Sequence, residues 1–326
     1  MLILSRKDLE QLLKMEDVIR TVEAAFHELV DGHATIPSRT VLNLDDVGGV
    51  MLFMPSYLDR TGALAVKVVG AYRDNPVRYS LPTTMAMVAL IDHKTGETLS
   101  IMEGGLITAM RTGAASGIAV QYLARRDANV LGIFGAGVQA ETQLLAMLEV
   151  RRIEEVWVYD ILPARAKAFI NHASKRVQCR VAEAQSIDEI LLKSDIIVAA
   201  TTSKTPIFNG SHLKQGTHVC SVGWVGLEGR ELDSLTVKRS RLVVDSREGV
   251  LAESGDIVIP IREGAITENH IWCELKDLVS GQKEGRVSDE EITLWKSVGL
   301  AIEDAATALL AYRKAKDLGL GVEVEL

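Results

Sequence analysis

A glycine-rich turn is the first feature of this chain whose residue types and spacing could do chemistry. The apolar run Val130–Phe134 leads into Gly135, Gly137 and Ala140 at the spacing GxGxxA, ahead of a helix-favouring stretch. The first glycine permits a tight turn, the second lets the backbone approach a pyrophosphate, and the small third residue keeps the helix near the strand. Amides at the start of that helix would face the phosphate charge. The turn therefore predicts a dinucleotide site.

An acidic residue ends the next apolar run, Val156–Asp160, 25 residues after Gly135. A carboxylate near that distance is placed to bind the adenosine ribose. Because it would repel a 2′-phosphate, NAD(H) is predicted in preference to NADP(H), and the nearby Arg165 leaves NADP(H) open. The alternative is a solvated aspartate at a strand end.

Two further apolar runs end in polar or small residues, at Thr201-Thr202 and at Val222-Gly223. Carboxyl ends of parallel strands meet at the ligand-binding edge of such a sheet, so these residues are predicted to lie beside the cofactor. Ordinary turn residues are the alternative. The predicted cofactor-binding residues of this half are Gly135, Gly137, Val138, Gln139, Asp160, Thr201, Thr202, Val222 and Gly223.

Three basic side chains in the first half are candidates for a substrate site. Arg39 follows Pro37-Ser38, Lys67 interrupts the apolar run Ala63–Val69, and Arg111 interrupts a helix of small residues. A lysine in such a strand lies either on a wet face or is buried for a purpose. Arginine suits a carboxylate because it binds both oxygens.

Composition narrows the class of protein. The 326 residues are 47% apolar and 25% charged, which excludes disorder and a disulfide scaffold. A net charge of −8 lacks the electrostatic signature of nucleic-acid binding. No run reaches the ~20 apolar residues of a membrane span. The histidines show no metal-ligand spacing. We expect a cytoplasmic, metal-free protein with neither nucleic-acid nor membrane partners.

The elements that must position these residues fall into two kinds. A helix is predicted at 15–31, followed by short β runs at 50–54, 64–69 and 83–91 that favour an antiparallel sheet. A helix rich in small residues follows at 106–124. From 130 onward, apolar runs alternate with helix-favouring stretches, which indicates an α/β fold with a buried parallel sheet of Rossmann type. The last helix is predicted at about 298–317.

The string Thr108–Ala115, followed by the turn GAGVQA, resembles the ornithine cyclodeaminase/mu-crystallin family, which includes archaeal-type alanine dehydrogenase and ketimine reductases. The resemblance extends over essentially the whole chain. Its other matches are Met54-Pro55, Asn75-Pro76, Leu81-Pro82-Thr83, Gly223 with Glu231-Leu232-Asp233, Ser254-Gly255-Asp256 and Ser297–Ala301.

The resemblance implies a Rossmann domain at 125–302, inserted in a discontinuous α+β substrate and dimerisation domain at 1–124 plus 303–326. It implies that Arg39, Lys67 and Arg111 bind the substrate carboxylate. Thr83 and Thr112 match positions lining the nicotinamide pocket. It also implies a homodimer, paired through the antiparallel sheet.

Two departures bear on the reaction. Cyclodeaminases and the related alanine dehydrogenase carry a catalytic aspartate where this chain has Val225, and cyclodeaminases carry an acid ahead of Met-Pro, where Leu52 is the nearest equivalent. Cyclodeamination must move protons between two amines and expel ammonia, and a positioned acid contributes ~10²–10⁴-fold to such steps. Reduction of a protonated imine depends less on a positioned acid. Glu228 or Tyr72 could replace the missing proton donor, and the sequence places neither.

We therefore predict an NAD(P)H-dependent oxidoreductase acting on the C–N bond of a small 2-imino or amino acid, as an imine reductase or an amino-acid dehydrogenase such as alanine dehydrogenase. Lys67 and Arg111 are the predicted catalytic residues, orienting and polarising the substrate. The alternatives are an ornithine or lysine cyclodeaminase and a non-catalytic binding protein.

Overall fold

The computed structural model describes residues 1–72 and 74–325. The elements of the first part of the chain are β1 Leu2–Leu4, α1 Arg6–Leu12, α2 Met15–Val30, β2 Ala34–Thr35, β3 Thr40–Leu44, β4 Gly49–Leu58, β5 Ala63–Tyr72, α3 Asn75–Arg78, β6 Thr84–Ile91, β7 Thr98–Glu103 and α4 Gly104–Leu123. Those that follow are β8 Val130–Phe134, α5 Val138–Val150, β9 Glu155–Tyr159, α6 Pro163–Ala173, β10 Arg180–Glu183, α7 Ile187–Lys193, β11 Ile196–Ala199, β12 His218–Ser221, α8 Ser234–Arg239, β13 Ser240–Val244, α9 Arg247–Glu253, α10 Gly255–Arg262, β14 Ile271–Glu274, α11 Leu275–Val279, β15 Ile292–Lys296, α12 Ala301–Leu318 and β16 Val322–Glu323.

The chain divides into two compact units. The first comprises Met1–Arg111 with Leu300–Leu326, and the second Thr112–Gly299. The predicted boundaries at 124/125 and 302/303 differ from these by up to 13 residues. The assignment of the units to substrate and cofactor stays a prediction.

An eight-stranded sheet forms the frame of the first unit. Its order is β16-β1-β7-β6-β5-β4-β2, with β3 also paired to β4. Neighbours are antiparallel except β1 and β7, which run parallel. The strands predicted at 50–54, 64–69 and 83–91 are the central β4, β5 and β6. The antiparallel character predicted for this region is confirmed.

Helices α2 and α12 supply the apolar cover of that sheet. Val18, Val22 and Phe26 recur on one face of α2 and are fully buried, each contributing about 1.5–3 kcal/mol. Helix α12 packs on α2 and on β5, and its buried face is largely alanine, which permits close approach. The start of α12 therefore lies against the strand that carries Lys67.

The second unit is built on a fully parallel sheet. Its strand order is β10-β9-β8-β11-β12-β15-β13-β14. From β8 the chain first adds strands toward one edge of the sheet and then, from β11 onward, toward the other edge, so the order reverses between β8 and β11. Ligands of such sheets bind at the carboxyl edge beside this reversal. The central strands β8, β11 and β12 are buried on both faces, as their continuous apolar runs indicated, whereas the edge strand β10 is partly exposed. The predicted α/β fold class is confirmed.

Within the described residues, no helix is long and apolar enough to cross a membrane. Nor does any group of three or more His, Cys, Asp or Glu in that part of the chain have an arrangement suited to a metal ion. The cytoplasmic location stays a prediction from the sequence.

Candidate active site

Lys67 lies near the middle of β5 with only 2% of its surface exposed. It pairs across the sheet with Met54 on β4 and Val88 on β6, both buried. Its Nζ donates to Oδ2 of Asp304 at 2.6 Å. Of the two explanations for a lysine in this strand, a wet face is therefore excluded.

Arg111 on α4 reaches the same carboxylate. Its Nε donates to Oδ1 of Asp304 at 3.1 Å, and its Nη1 donates to Oε2 of Glu303 at 2.9 Å. Asp304 thus holds Lys67 with one oxygen and Arg111 with the other. We call these four residues, Lys67, Arg111, Glu303 and Asp304, the cation cluster.

Sequence reasoning missed the two acids of this cluster. Glu303 and Asp304 occupy the first turn of α12, where the helix dipole favours carboxylates. That position explains acids at any helix start, so their spacing gives no sign of a site. A usable signal was their place in an otherwise alanine-rich, buried helix, because buried carboxylates need cationic partners.

The cluster shifts the pKa of both bases. Burial lowers the pKa of Lys67 to about 8, and the charge of Arg111 adds to this against the attraction of Asp304. Burial also acts to lower the pKa of Arg111, but Asp304 and Glu303 outweigh it and raise that pKa above its ordinary value. Arg111 therefore keeps its charge, while Lys67 can lose its proton at mildly basic pH.

The other residues predicted in the first unit lie outside the cation cluster. Arg39 is half-buried in the segment between β2 and β3. Thr83 is exposed, one residue before β6, and its carbonyl oxygen accepts from the Tyr72 amide at 2.8 Å. The cation cluster thus contains two of the three predicted bases.

Apolar side chains surround Lys67 on its face of the sheet. Met54, Val69 and Ala301 form a buried group against which Ile36, Leu52 and Ala86 pack. Leu52 pairs with Val69, two residues along β5 from Lys67. The position at which cyclodeaminases carry an acid is thus part of an apolar surface.

The glycine-rich turn in the second unit has the predicted strand–turn–helix form. Gly135 has a φ of +90°, and a Cβ there would lie 2.5 Å from the carbonyl oxygen of Ala200. Gly137 begins α5 without a side-chain cap, and a Cβ there would meet nothing within 4 Å. The amides that start α5 are consequently open to an anionic ligand.

Neighbouring side chains fit a dinucleotide at this turn. Asp160 accepts from the amides of Ala136 and Leu162, both at 2.8 Å, and its oxygens retain lone pairs for further donors such as ribose hydroxyls. Val138 is 61% exposed on the first turn of α5. The buried Oε1 of Gln139 has no hydrogen-bond partner in the described part of the chain.

The remaining predicted cofactor residues lie on three segments of the second unit. Thr201 and Thr202 follow β11, and Val222 and Gly223 follow the adjacent β12. Thr112 is buried in α4, and its carbonyl oxygen accepts from Nε2 of Gln143 on α5 at 3.3 Å. The carboxyl ends of β8, β9, β11 and β12 therefore carry the predicted dinucleotide residues other than Thr83 and Thr112.

A family model described as the ornithine cyclodeaminase/mu-crystallin family matches residues 1–319. The chain belongs to this family. The family predicted from the sequence motifs is therefore confirmed.

Three members of the ornithine cyclodeaminase/mu-crystallin family illustrate the range of similarity. Delta(1)-pyrroline-2-carboxylate reductase of Bacillus cereus is 36% identical, over 100% of both chains. Alanine dehydrogenase of Archaeoglobus fulgidus is 34% identical, over 99% of this chain and 98% of that one. The structure of Thermococcus litoralis Delta(1)-pyrroline-2-carboxylate reductase in complex with NADH and L-proline superposes with a TM-score of 0.97, at 54% identity, over 99% and 100%.

The cation cluster makes a stability prediction. Asp304→Asn should lower the free energy of unfolding by about 3 kcal/mol, because it leaves two buried cations with one carboxylate. Urea unfolding of the purified protein measures this. The matched control is Asp17→Asn, whose partners Lys314 and Arg20 are 28% and 65% exposed and which should cost less than about 1 kcal/mol. Equal losses in the two variants would contradict the importance of the cluster.

Proposed function

We propose that this chain is an NAD(H)-dependent reductase of a cyclic 2-imino acid, converting Δ1-pyrroline-2-carboxylate or a close homologue to the cyclic amino acid. The observation that carries the proposal is the convergence of buried Lys67 and Arg111 on one carboxylate within an apolar surround. The enzymes of Bacillus cereus and Thermococcus litoralis support it, since each is named for that reaction.

Charge balance in the cation cluster calls for a third basic ligand if the substrate is a carboxylate. With Lys67 protonated, the two cations and two carboxylates of the cation cluster sum to zero. A substrate carboxylate entering such a site would leave it negative unless a further cation joined it. Arg39, the third predicted ligand, would supply that charge. Lys67 retains N–H donors beyond the one given to Asp304.

The second unit would hold the cofactor. The glycine turn and the start of α5 would bind the pyrophosphate, and Asp160 the adenosine ribose. NADH, when bound, supplies the hydride. Asp160 would disfavour a 2′-phosphate, and Arg165 leaves NADP(H) as a weaker alternative.

The lack of an acid at Leu52 and Val225 favours imine reduction over cyclodeamination. Leu52 packs in the apolar surround of Lys67, and Val225 is 45% exposed in the loop after β12. Reduction of a protonated imine adds one hydride to carbon and leaves the nitrogen protonated. No ammonia departs and no second amine must be deprotonated. An apolar surface suits a ring of methylene groups better than a distal amine.

The direct test is NADH consumption, followed by near-UV absorbance, with Δ1-pyrroline-2-carboxylate and separately with pyruvate plus ammonia. We expect rapid turnover of the cyclic imine and L-proline as its product. Turnover of pyruvate alone would move the assignment to alanine dehydrogenase. Inactivity with both, together with ammonia release from ornithine and NAD⁺, would establish a cyclodeaminase instead.

Lys67→Met should abolish turnover of the imino acid, by at least ~10³-fold, because an isosteric apolar chain cannot bind or polarise the carboxylate. NADH binding, measured by fluorescence titration, should be unchanged. Lys314→Met, which removes a partly exposed lysine of the same unit, is the control and should retain activity. Normal turnover by Lys67→Met would refute the assigned role.

The pH dependence follows from the lowered pKa of Lys67, about 8. The protonated ammonium binds carboxylate, so kcat/KM for the imino acid should be highest below that pH and fall about tenfold per unit above it. Lys67→Arg, whose guanidinium stays charged, should lose this limb. A fall that persists in Lys67→Arg would belong to the substrate imine rather than to Lys67.

We also propose a homodimer formed through the sheet of the first unit. Leu42, Phe53, Met85 and Met87 are at least 36% exposed, on strands β3, β4 and β6. Phe53 and Met87 both pair with Val68 of β5, which alternates with Lys67 and so faces away from the cation cluster. An exposed apolar sheet face of this kind is typical of an interface.

Met87→Lys should weaken the dimer at least ~100-fold, because an unpaired charge would be buried in the interface. Sedimentation of the wild-type and Met87→Lys proteins over a range of concentrations measures the dimer dissociation constant. Leu192→Lys, at a site 68% exposed on α7, is the control. An unaltered dimer in Met87→Lys would place the interface elsewhere.

A further inference from the structure

Glu231 is a fully buried carboxylate to which the proposed reaction gives no role. It accepts four hydrogen bonds. Oε1 accepts from the amide and the hydroxyl of Thr201, both at 2.7 Å. Oε2 accepts from the amides of Gly223 and Trp224, both at 2.9 Å. One side chain thereby fastens two separate segments of backbone.

Those two segments follow adjacent parallel strands. Thr201 comes after β11, and Gly223 and Trp224 come after β12, at the edge where sheets of this type bind ligands. The segments touch directly, since a Cβ at Gly223 would lie 2.3 Å from the amide nitrogen and the carbonyl oxygen of Thr201. Glu231 holds the two segments together through its hydrogen bonds to both.

Glu231 is itself held rigidly. Asp256 accepts from the Glu231 amide at 2.7 Å and from the Leu232 amide at 2.9 Å. Lys296 donates to Asp256 at 2.7 Å and to the carbonyl oxygen of Trp224 at 2.9 Å. Asp256 and Lys296 are fully buried. The lysine thus ties the end of β15 to the same loop that Glu231 holds.

Opposing influences act on the charge of Glu231. Burial and the charge of Asp256 raise the pKa of Glu231, while Lys296 and the Thr201 hydrogen bonds act in the opposite direction. Keeping a buried carboxylate ionised requires donors on both oxygens, and Glu231 has two on each.

We propose that Glu231 is a positioning residue for the cofactor, holding Thr201 and Gly223 in the arrangement that receives NAD(H). The inference rests on the proposed function, because it takes the carboxyl ends of β11 and β12 as part of the cofactor site. Glu231 does not touch the cofactor in this proposal. It acts through the two segments that it joins.

Glu231→Gln is the informative variant. The amide group has nearly the same shape, but its nitrogen cannot accept, so one of the two pairs of donors loses its acceptor. Either the Thr201 segment or the Gly223 segment is then released. We expect the Kd for NADH to rise about tenfold.

Asp195→Asn is the matched control. Asp195 is also a buried carboxylate with four donors, namely Arg125, Lys214 and the amides of Asn129 and Val130. It precedes β11 and binds the start of β8, so it lies at the opposite edge of the same sheet. Its loss should lower the unfolding temperature without altering NADH binding.

The experiment is fluorescence titration of purified wild-type and variant proteins with NADH, below their measured unfolding temperatures and without imino acid. A higher Kd in Glu231→Gln alone supports the proposal. Equal losses of stability with an unchanged Kd in both variants would show a purely structural role and overturn it. Should Glu231→Gln not fold, Glu231→Asp keeps the charge and withdraws it by one methylene, and an unchanged Kd there would equally overturn the proposal.

Failure of the two proposals can be told apart. Wild-type protein that binds neither NADH nor NADPH would refute the proposed function, and the role of Glu231 with it. Wild-type protein that binds NADH, beside Glu231→Gln with the same Kd, would refute the role of Glu231 alone.

Discussion

The burial of charge is the constraint on which the first unit depends. Lys67 and Arg111 are almost fully removed from water, which is tolerated only because Glu303 and Asp304 neutralise them. Asp304 has one oxygen for each base, so a single side chain sets their separation. The acids stand at the start of α12, whose alanine face lets the helix lie close to β5. Packing of small residues thus determines where the charges meet.

The second unit uses buried charge in a related way. Asp256 and Lys296 form an ion pair with no exposed surface, and their other hydrogen bonds go to loop backbone and to the hydroxyl of Ser221. Buried pairs of this kind contribute little net stability, because desolvation offsets their attraction. Their effect is geometric. Their hydrogen bonds hold the backbone at Glu231, Leu232 and Trp224.

Local sequence signals were sufficient for the fold class, for part of the strand and helix pattern, and for two of the four residues of the cation cluster. Alternation and helical spacing located β4, β5, β6 and α2, and the GxGxxA turn located the start of α5. Strands β14 and β15 were among those not predicted, since each is a run of four or five residues in which polar or charged residues interrupt the apolar ones. Lys296 lies at the end of β15, so it was not identified from the sequence either. Sequence spacing cannot show Lys67 meeting Asp304, because 237 residues separate them.

Two apolar positions bear on the proposed reaction. Leu52 lies on the face of β4 that adjoins Lys67. Val225 follows Gly223 and Trp224, whose amides donate to Glu231. Neither Leu52 nor Val225 takes part in the cation cluster or in the hydrogen bonds of Glu231. Under the proposed function, the predicted carboxylate ligands and cofactor turn are therefore kept, while these two positions carry no acid. The proposed reaction would then depend on hydride transfer and on orientation of the substrate. Imine reduction meets that requirement, because the substrate brings its own proton on nitrogen.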